Sequence, residues 1–454
     1  RKSTSWKNCS RKQVSVYGVQ GAGGRVQGAG CRGQGAGYRG RLLSTLSTFL
    51  RFPCLPWTKK RQMQQIQTDS IIIKLRQGFL EKFGISPEVL SCAPGRLEIL
   101  GNHTDYNEGT VLSVAVDRAM HIAAAPASGS SGQCRVIDLV NDSSRSFDLH
   151  ALEHPCKGDW ANYIKGLIVE LHRRGIQVPA FDAALYGTVP LSAGMSSSAA
   201  LEMAMLLVLL KLADKELPWL ECAKIGQACE NHYVGAKTGL LDQVSSLKGK
   251  KGNLIYSDFR NYTVDNVPIP EGTAFVVADS KVKHNLTNEY NERREACEEA
   301  VRILADVHPG VKALRDVTVQ QLRDAEALLP PVVFRRALHV VGEIDRVENG
   351  REALRKGDIV GFGKLMQESH SSSMENFENS CPEIDRLVEI GQTLPGYLGA
   401  RISGGGFGGI SVHLVRSQDA QNYQKALEEA YLEQSGIQTT AMLCQAGDGA
   451  QLLN

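Results

Sequence analysis

Val189-Pro190-Leu191-Ser192-Ala193-Gly194-Met195-Ser196-Ser197-Ser198-Ala199-Ala200 joins a strand-like segment, Phe181 to Val189, to the apolar run Ala199 to Ala213 that reads as a helix. A turn of small residues exposes successive backbone N–H groups, and the helix start adds the positive end of its dipole. Together they make a seat for phosphate oxygens. The three serines stand where a capping hydroxyl or a metal-ligating hydroxyl is wanted. No lysine follows, so this is not the Gly-Lys-Ser/Thr P-loop. Taken alone, the stretch is either an anion site or an ordinary serine-led helix start, and blocks elsewhere in the chain decide between the two.

The chain has 454 residues, 42% hydrophobic and 22% charged, which suits two globular domains with substantial cores. Its formal net charge of +2 is unevenly spread. Residues 1–62 hold thirteen Lys/Arg and no Asp or Glu, leaving 38 basic against 49 acidic side chains in the remainder. So acidic a body argues against nucleic acid as the main partner. The eleven cysteines are scattered without a Cys-x-x-Cys pair, which suggests neither a disulfide framework nor a zinc site and points to the cytoplasm. The most apolar run, Met203 to Leu212, is about half the ~20 residues of a membrane span, follows Glu202 and contains Lys211, so no membrane association is expected.

Residues 1–62 differ from the rest. Three copies of one seven-residue unit occupy 19–25, 26–32 and 33–39, and their repetition produces two Gly-x-Gly-x-x-Gly matches, Gly28 to Gly33 and Gly35 to Gly40. No strand precedes them, so a dinucleotide site is rejected. The segment is expected to be a disordered basic leader. It is either a transit peptide or upstream sequence read in frame before a start at Met63. The expected domains are 63–250, the N-terminal one, and 251–454, the C-terminal one, with the boundary placed at the Gly/Lys cluster Lys248 to Lys251.

Periodicity predicts a helix over Ile71 to Phe83 and a short strand over Val89 to Ala93. A polar run, Pro94-Gly95-Arg96-Leu97-Glu98-Ile99-Leu100-Gly101-Asn102-His103-Thr104-Asp105-Tyr106-Asn107-Glu108-Gly109, follows. Strands are expected at Val111 to Val116 and His121 to Ala125, and helices at Ala161 to Arg173 and Trp219 to Tyr233. Strands at Leu254 to Tyr256 and Thr273 to Asp279 are assigned to the second domain. Helices over Glu289 to Asp306, Ala337 to Lys356 and Ile359 to Glu368 lead to the glycine block Gly404 to Gly409. The strand Ile410 to Val415, the helix Ala420 to Glu433 and a strand near Gln438 to Cys444 close the chain.

Arg96 to Asp105 sets a cation, an amide, an imidazole and a carboxylate in one short stretch. These supply donors and acceptors at mixed angles, as recognition of a polyhydroxylated molecule requires, or they form a polar loop with Asx-turns. Asp242, beside Leu240 and Leu241, is a partly buried carboxylate that is either half of a structural ion pair or a catalytic base. The glycines 404–409 allow a ligand or a second backbone to come close, or they make a bulged turn before a strand.

Read together, these blocks resemble the galactokinase family of the GHMP kinases. Pro94-Gly95-Arg96 with Gly101-x-His103-Thr104-Asp105-Tyr106-Asn107-x-Gly109 is similar to the family signature. Pro190 to Ala200 and Gly404 to Gly409 resemble the second and third GHMP motifs, and Trp160 to Tyr163, Asn288 to Tyr290 and Ser380 to Glu383 add support. The resemblance runs from about Ser70 to the C-terminus. It implies an α+β fold of two domains, the first like ribosomal protein S5 and the second ferredoxin-like, with the active site between them.

The resemblance also implies an ATP- and Mg²⁺-dependent transfer of phosphate to the C1 hydroxyl of galactose. Ser192, Ala193, Gly194, Met195, Ser196, Ser197 and Ser198 would wrap the ATP phosphates, with Ser198 and Glu230 as metal ligands. Asp242 would be the base and Arg96 the charge stabiliser. Asn102, His103, Thr104, Asp105, Gly239 and Tyr290 match sugar-binding positions. Phosphoryl transfer asks mainly for alignment, charge neutralisation and a base, which these residue types supply.

The chain also departs from the pattern. Where the family usually has Asn it has Glu98, and where the family usually has Glu, matched to the sugar's C6 hydroxyl, it has Asn102. Ser192 and Met195 replace the more usual Gly and Leu. Asn102 is therefore expected to loosen the sugar contact unless a neighbouring carboxylate such as Glu98 takes it over. A kinase for N-acetylgalactosamine or arabinose, or a non-catalytic sugar sensor, are the alternatives. The presence of Arg96, Ser198, Glu230 and Asp242 argues against the sensor. Oligomeric state leaves no mark on the sequence.

Overall fold

The computed structural model describes residues 57–129, 132–190, 194–282 and 287–453. The glycine repeats, and Leu191, Ser192 and Ala193 of the serine loop, lie outside the described residues. Of the leader 1–62 expected to be disordered, 1–56 also lie outside them, while 57–62 are helical, the start of the first helix.

The chain opens with α1 (Trp57–Phe83), β1 (Val89–Leu100), β2 (Thr110–Pro126), β3 (Gln133–Asp138), β4 (Ser143–Asp148), α2 (Ala161–Arg173) and β5 (Phe181–Gly187). Next come α3 (Ser197–Leu212), α4 (Trp219–Ala228), α5 (Leu241–Lys248), β6 (Asn253–Asp258) and β7 (Thr263–Pro268). The second half holds β8 (Thr273–Asp279), α6 (Thr287–Val307), α7 (Val319–Asp324), α8 (Pro331–Lys356), α9 (Ile359–Ser372) and α10 (Pro382–Thr393). It ends in β9 (Tyr397–Ser403), β10 (Ile410–Arg416), α11 (Ala420–Ser435), β11 (Ala441–Cys444) and β12 (Gln451–Leu453). Among the described residues no helix is long and apolar enough to cross a membrane.

Two sheets organise these elements into an α+β fold. The larger runs β12-β1-β2-β5-β3-β4, with the β6–β7 hairpin on β2; the smaller runs β11-β8-β10-β9, all antiparallel. Numbered within itself, the smaller sheet has the order 4-1-3-2 of a ferredoxin-like domain, as the resemblance implied. The boundary expected at 250/251 does not follow sheet membership. β6 pairs with β2 (Leu112 opposite Tyr256) and β12 returns to β1. The Gly/Lys cluster is a tight connection instead: a Cβ on Gly249 would lie 2.4 Å from the Ala115 Cβ.

Three further differences have local causes. α1 starts at Trp57 rather than Ile71, because Lys59 to Gln67 is rich in good helix formers while apolar spacing marks only the packed half, where Leu75 and Phe79 are fully buried. β1 continues past Pro94-Gly95 to Leu100; the irregularities between Pro94 and Arg96 and between Glu98 and Leu100 absorb what reads in sequence as a turn. Arg96 and Glu98 therefore sit on a strand, two residues apart on one face, and not on a loop. β2 is one strand where two were expected. The apolar run of α3 is explained by burial on almost every side, including Ala199, Ala200, Met203 and Leu209 at 0% exposure.

Candidate active site

Arg96 projects from β1 between the starts of α3 and α5. Its Nε and Nη2 donate to Asp242 Oδ1 at 2.8 and 2.7 Å, and its Nη1 donates to the Gly194 carbonyl at 2.7 Å. The Arg96 backbone N–H bonds the Met195 carbonyl at 3.1 Å, so the serine loop is tied to β1 through both side chain and main chain. Ser196 caps α3 in the left-handed conformation, φ 50°, and its hydroxyl donates to Asp242 Oδ2 instead of capping the helix. Asp242 lies in the first turn of α5, where the helix dipole favours a carboxylate.

Behind this pair lies an oxygen-rich group. α4 passes at Cys229 into a π-helical turn, Cys229–Val234, which carries Glu230. Ser198 Oγ donates to Glu230 Oε1 at 3.1 Å, while Thr238 Oγ1 and Gln243 Nε2 hold Glu230 Oε2 at 2.6 and 3.2 Å. Burial and the nearby Asp242 charge raise the Glu230 pKa. Gln243 also donates to Glu202 Oε2 at 3.0 Å, and burial pushes Glu202 well above the ordinary carboxyl range.

The other wall comes from the turn after β1 and from the glycine loop joining β9 to β10. His103 adopts a left-handed φ of 60° that turns its ring inward, held by Asn107 Nδ2 on its carbonyl at 2.9 Å. Because the Gly405 carbonyl can only accept, His103 Nε2 carries the proton at 3.1 Å, and Nδ1 accepts from the Tyr106 hydroxyl at 2.8 Å. Burial lowers the His103 pKa to about 4, which keeps the ring neutral. It packs 4.9 Å from Tyr290 and 4.5 Å from Phe377, centroid to centroid. The glycine block is thus both the turn and the close approach weighed above: a Cβ on Gly406 would lie 2.3 Å from the Asn379 carbonyl.

These walls enclose a cavity of about 290 Å³ that brings together Arg96, Asp242, Ser198, Glu230, Asp105, Gly239 and Tyr290. Asn102 and His103 also line it, with their polar side-chain atoms already bonded to protein. Thr104 is fully buried behind the wall, its hydroxyl donating to the Gly101 and Thr110 carbonyls at 2.9 and 2.7 Å. It shapes the turn and does not reach the cavity. Asp105 accepts from the Leu241 N–H at 3.4 Å; burial, then the charges of Glu98 and Asp242, raise its pKa to about 6. Gly194 and Met195 support Arg96 through their carbonyls, and Ser197 begins α3.

Sequence reasoning passed over Thr238 and Gln243, although both flank Asp242 in the stretch Gly235 to Gln243. It also passed over Asn379 and Arg401, remote in sequence and without a local signal. Burial pushes the Glu98 pKa up against the pull of Arg401 and Arg96.

Known proteins with the same features converge on one family. Residues 77–126 match the galactokinase galactose-binding signature, 162–250 the GHMP kinase N-terminal domain and 351–433 the GHMP kinase C-terminal domain. The galactokinase of Roseiflexus sp. (strain RS-1) is 38% identical over 83% of this chain and 96% of its own length. The human galactokinase is 36% identical over 86% and 99%. The crystal structure of Lactococcus lactis galactokinase complexed with galactose superposes with a TM-score of 0.80 at 29% identity, covering 84% of this chain and 100% of that one. Three signatures in order, near-complete coverage of these relatives and the shared fold place the chain in the galactokinase family, sugar kinases with the two GHMP domains.

Proposed function

We propose that the chain transfers the γ-phosphoryl group of ATP to the C1 hydroxyl of galactose, with Asp242 as base and Arg96 beside it as the stabilising cation. The observation that carries this reading is the Arg96–Asp242 contact at the cavity wall, next to the start of α3. Galactose lies in the cavity with its C1 hydroxyl toward Asp242. As that oxygen bonds to phosphorus and the bond to ADP breaks, its proton passes to the Asp242 carboxylate. The Arg96 guanidinium opposes the negative charge on the transferring group. The phosphate seat is assigned to Ser192 to Ser198, where the first turn of α3 leaves backbone N–H groups without helical partners.

The donor set of Ser198 and Glu230 fits Mg²⁺: two hard oxygens 3.1 Å apart at the cavity, with Glu230 braced from behind by Thr238 and Gln243. A hard cation that keeps waters and phosphate oxygens as its other ligands needs no larger protein cage. Ser198 and Glu230 would hold the ion, and a bound Mg²⁺ would supply neutralisation of phosphate charge. Asp105, Gly239 and Tyr290 face the sugar ring. We place the enzyme in the cytoplasm, on the strength of its scattered, odd-numbered cysteines.

ADP release is measured with Mg-ATP and galactose, N-acetylgalactosamine or arabinose in turn. Galactose should give the highest kcat/KM. A preference for either of the others replaces the substrate assignment, and no turnover with any of the three returns the chain to the sensor reading.

A further inference from the structure

Glu98 presents a carboxylate to the sugar cavity that the chemistry above leaves unused. It sits on β1 two residues after Arg96 and lines the same cavity, only 3% exposed. Its bonds to protein are one-sided. Asn102 Nδ2 at 2.8 Å and Arg401 Nη1 at 3.0 Å both donate to Oε1. Oε2 receives no bond from the described residues, yet it is not among their walled-in, unpartnered atoms.

Asn102 is in the opposite condition. It is 0% exposed, and its two amide hydrogens go to Glu98 Oε1 and the Gly404 carbonyl, each at 2.8 Å. Its Oδ1 accepts from Asn379 Nδ2 at 2.8 Å. Reversing the amide would set an oxygen against two acceptors, so the partners fix its orientation. Asn102 thus has no donor left for a ligand, whereas Glu98 keeps a free acceptor held in place by a fully buried arginine.

We propose that Glu98 Oε2 accepts a hydrogen bond from a non-reacting hydroxyl of the sugar and is a specificity-determining residue of this enzyme, with Asn102 spent on positioning it. The proposal rests on the galactokinase reading of the cavity. A bond to a charged acceptor contributes more than one to a neutral acceptor, and a site built to bond a hydroxyl discriminates against an analogue that lacks it.

The test is kcat/KM for galactose and its 2-, 3-, 4- and 6-deoxy analogues, in the wild type and in Glu98→Gln. The variant keeps the side chain's shape and removes its charge. Discrimination against one deoxy sugar should fall by about five- to ten-fold, with the other ratios unchanged. Should Glu98→Gln fold poorly, as its melting curve would reveal, Glu98→Asp keeps the ion pair with Arg401 and draws the carboxylate back; the same single ratio should fall. Unchanged ratios throughout, or a uniform loss for every sugar, overturn the proposal, the second because a purely structural role would act on all substrates alike. A wild type inactive on galactose brings down the functional reading and this inference with it. A wild type that ranks galactose first, with ratios insensitive to Glu98, brings down the inference alone.

Discussion

Asp242 receives two N–H groups of Arg96 on one carboxylate oxygen, from Nε at 2.8 Å and Nη2 at 2.7 Å, while Ser196 occupies the other. The carboxylate is thereby fixed in rotation, and on the proposed reading the guanidinium is the cation set beside the transferring group. Asp242→Asn keeps the size and removes the base, so kcat should fall roughly 100-fold or more. Galactose affinity should change only a few-fold. Arg96→Ala should also lower kcat. Equilibrium binding of galactose measured beside turnover checks both, and a collapse of sugar affinity with near-normal kcat in Asp242→Asn would show that the carboxylate binds and does not act as base.

Glu230 is held on one oxygen by Thr238 and Gln243 and meets Ser198 on the other. Glu230→Ala should raise the Mg²⁺ concentration for half-maximal rate by roughly 10-fold or more, since it deletes the carboxylate of the proposed metal site. Thr238→Val removes one brace and leaves both proposed ligands, so it should move the same midpoint less and in the same direction. Titrating Mg²⁺ at saturating ATP and galactose reads both effects. An unmoved midpoint in Glu230→Ala assigns the metal elsewhere.

The core of the smaller sheet contains a histidine that makes the fold sensitive to acid. His413 on β10 is 0% exposed, with one ring nitrogen 2.8 Å from Ser411 Oγ and the other 2.9 Å from the Tyr423 hydroxyl. Burial lowers its pKa from 6.5 to about 3. Between those values the unfolded chain binds a proton that the native one does not, so this group's stability contribution is present above pH 6.5 and is lost as pH falls toward 3. In His413→Gln, the slope of unfolding free energy against pH should fall by about one proton across that window. Urea unfolding at a series of pH values measures it, and an unchanged slope would mean that His413 titrates alike in both states.

Much of the site was legible because its chemistry is local in sequence. Arg96, the serine loop and Asp242 each sit in a short run whose composition signals a turn, a helix start or a buried carboxylate, whereas Glu230 was reached only through the family resemblance. What escaped depends on distance. Asn379 and Arg401 meet Asn102 and Glu98 across about 300 residues, and no window of sequence reports such a contact. Strand β1 was cut short because Pro94-Gly95 carries the local signal of a turn, which the β1–β2 pairing overrides. β12 was missed because three residues carry no period, and only its pairing with Leu90 to Cys92 defines it as a strand.

Gly239 offers the sharpest test of the sugar wall. A Cβ there would lie 1.6 Å from Asp105 Oδ2 and 2.3 Å from Asp105 Cγ, so no side chain fits while Asp105 holds its place. Its φ is not in the left-handed region, so the constraint is the close approach and not backbone strain. Gly239→Ala should therefore displace the Asp105 carboxylate from the cavity and raise KM for galactose at least about 10-fold, with KM for ATP little changed. Asp105→Ala should do the same by deletion. Because both act through one carboxylate, their effects should not add: Gly239→Ala introduced into Asp105→Ala should cost almost nothing more. Steady-state kinetics on the two single variants and the double closes the cycle. Losses that multiply in the double variant would show that Gly239 serves the sugar through some contact other than Asp105.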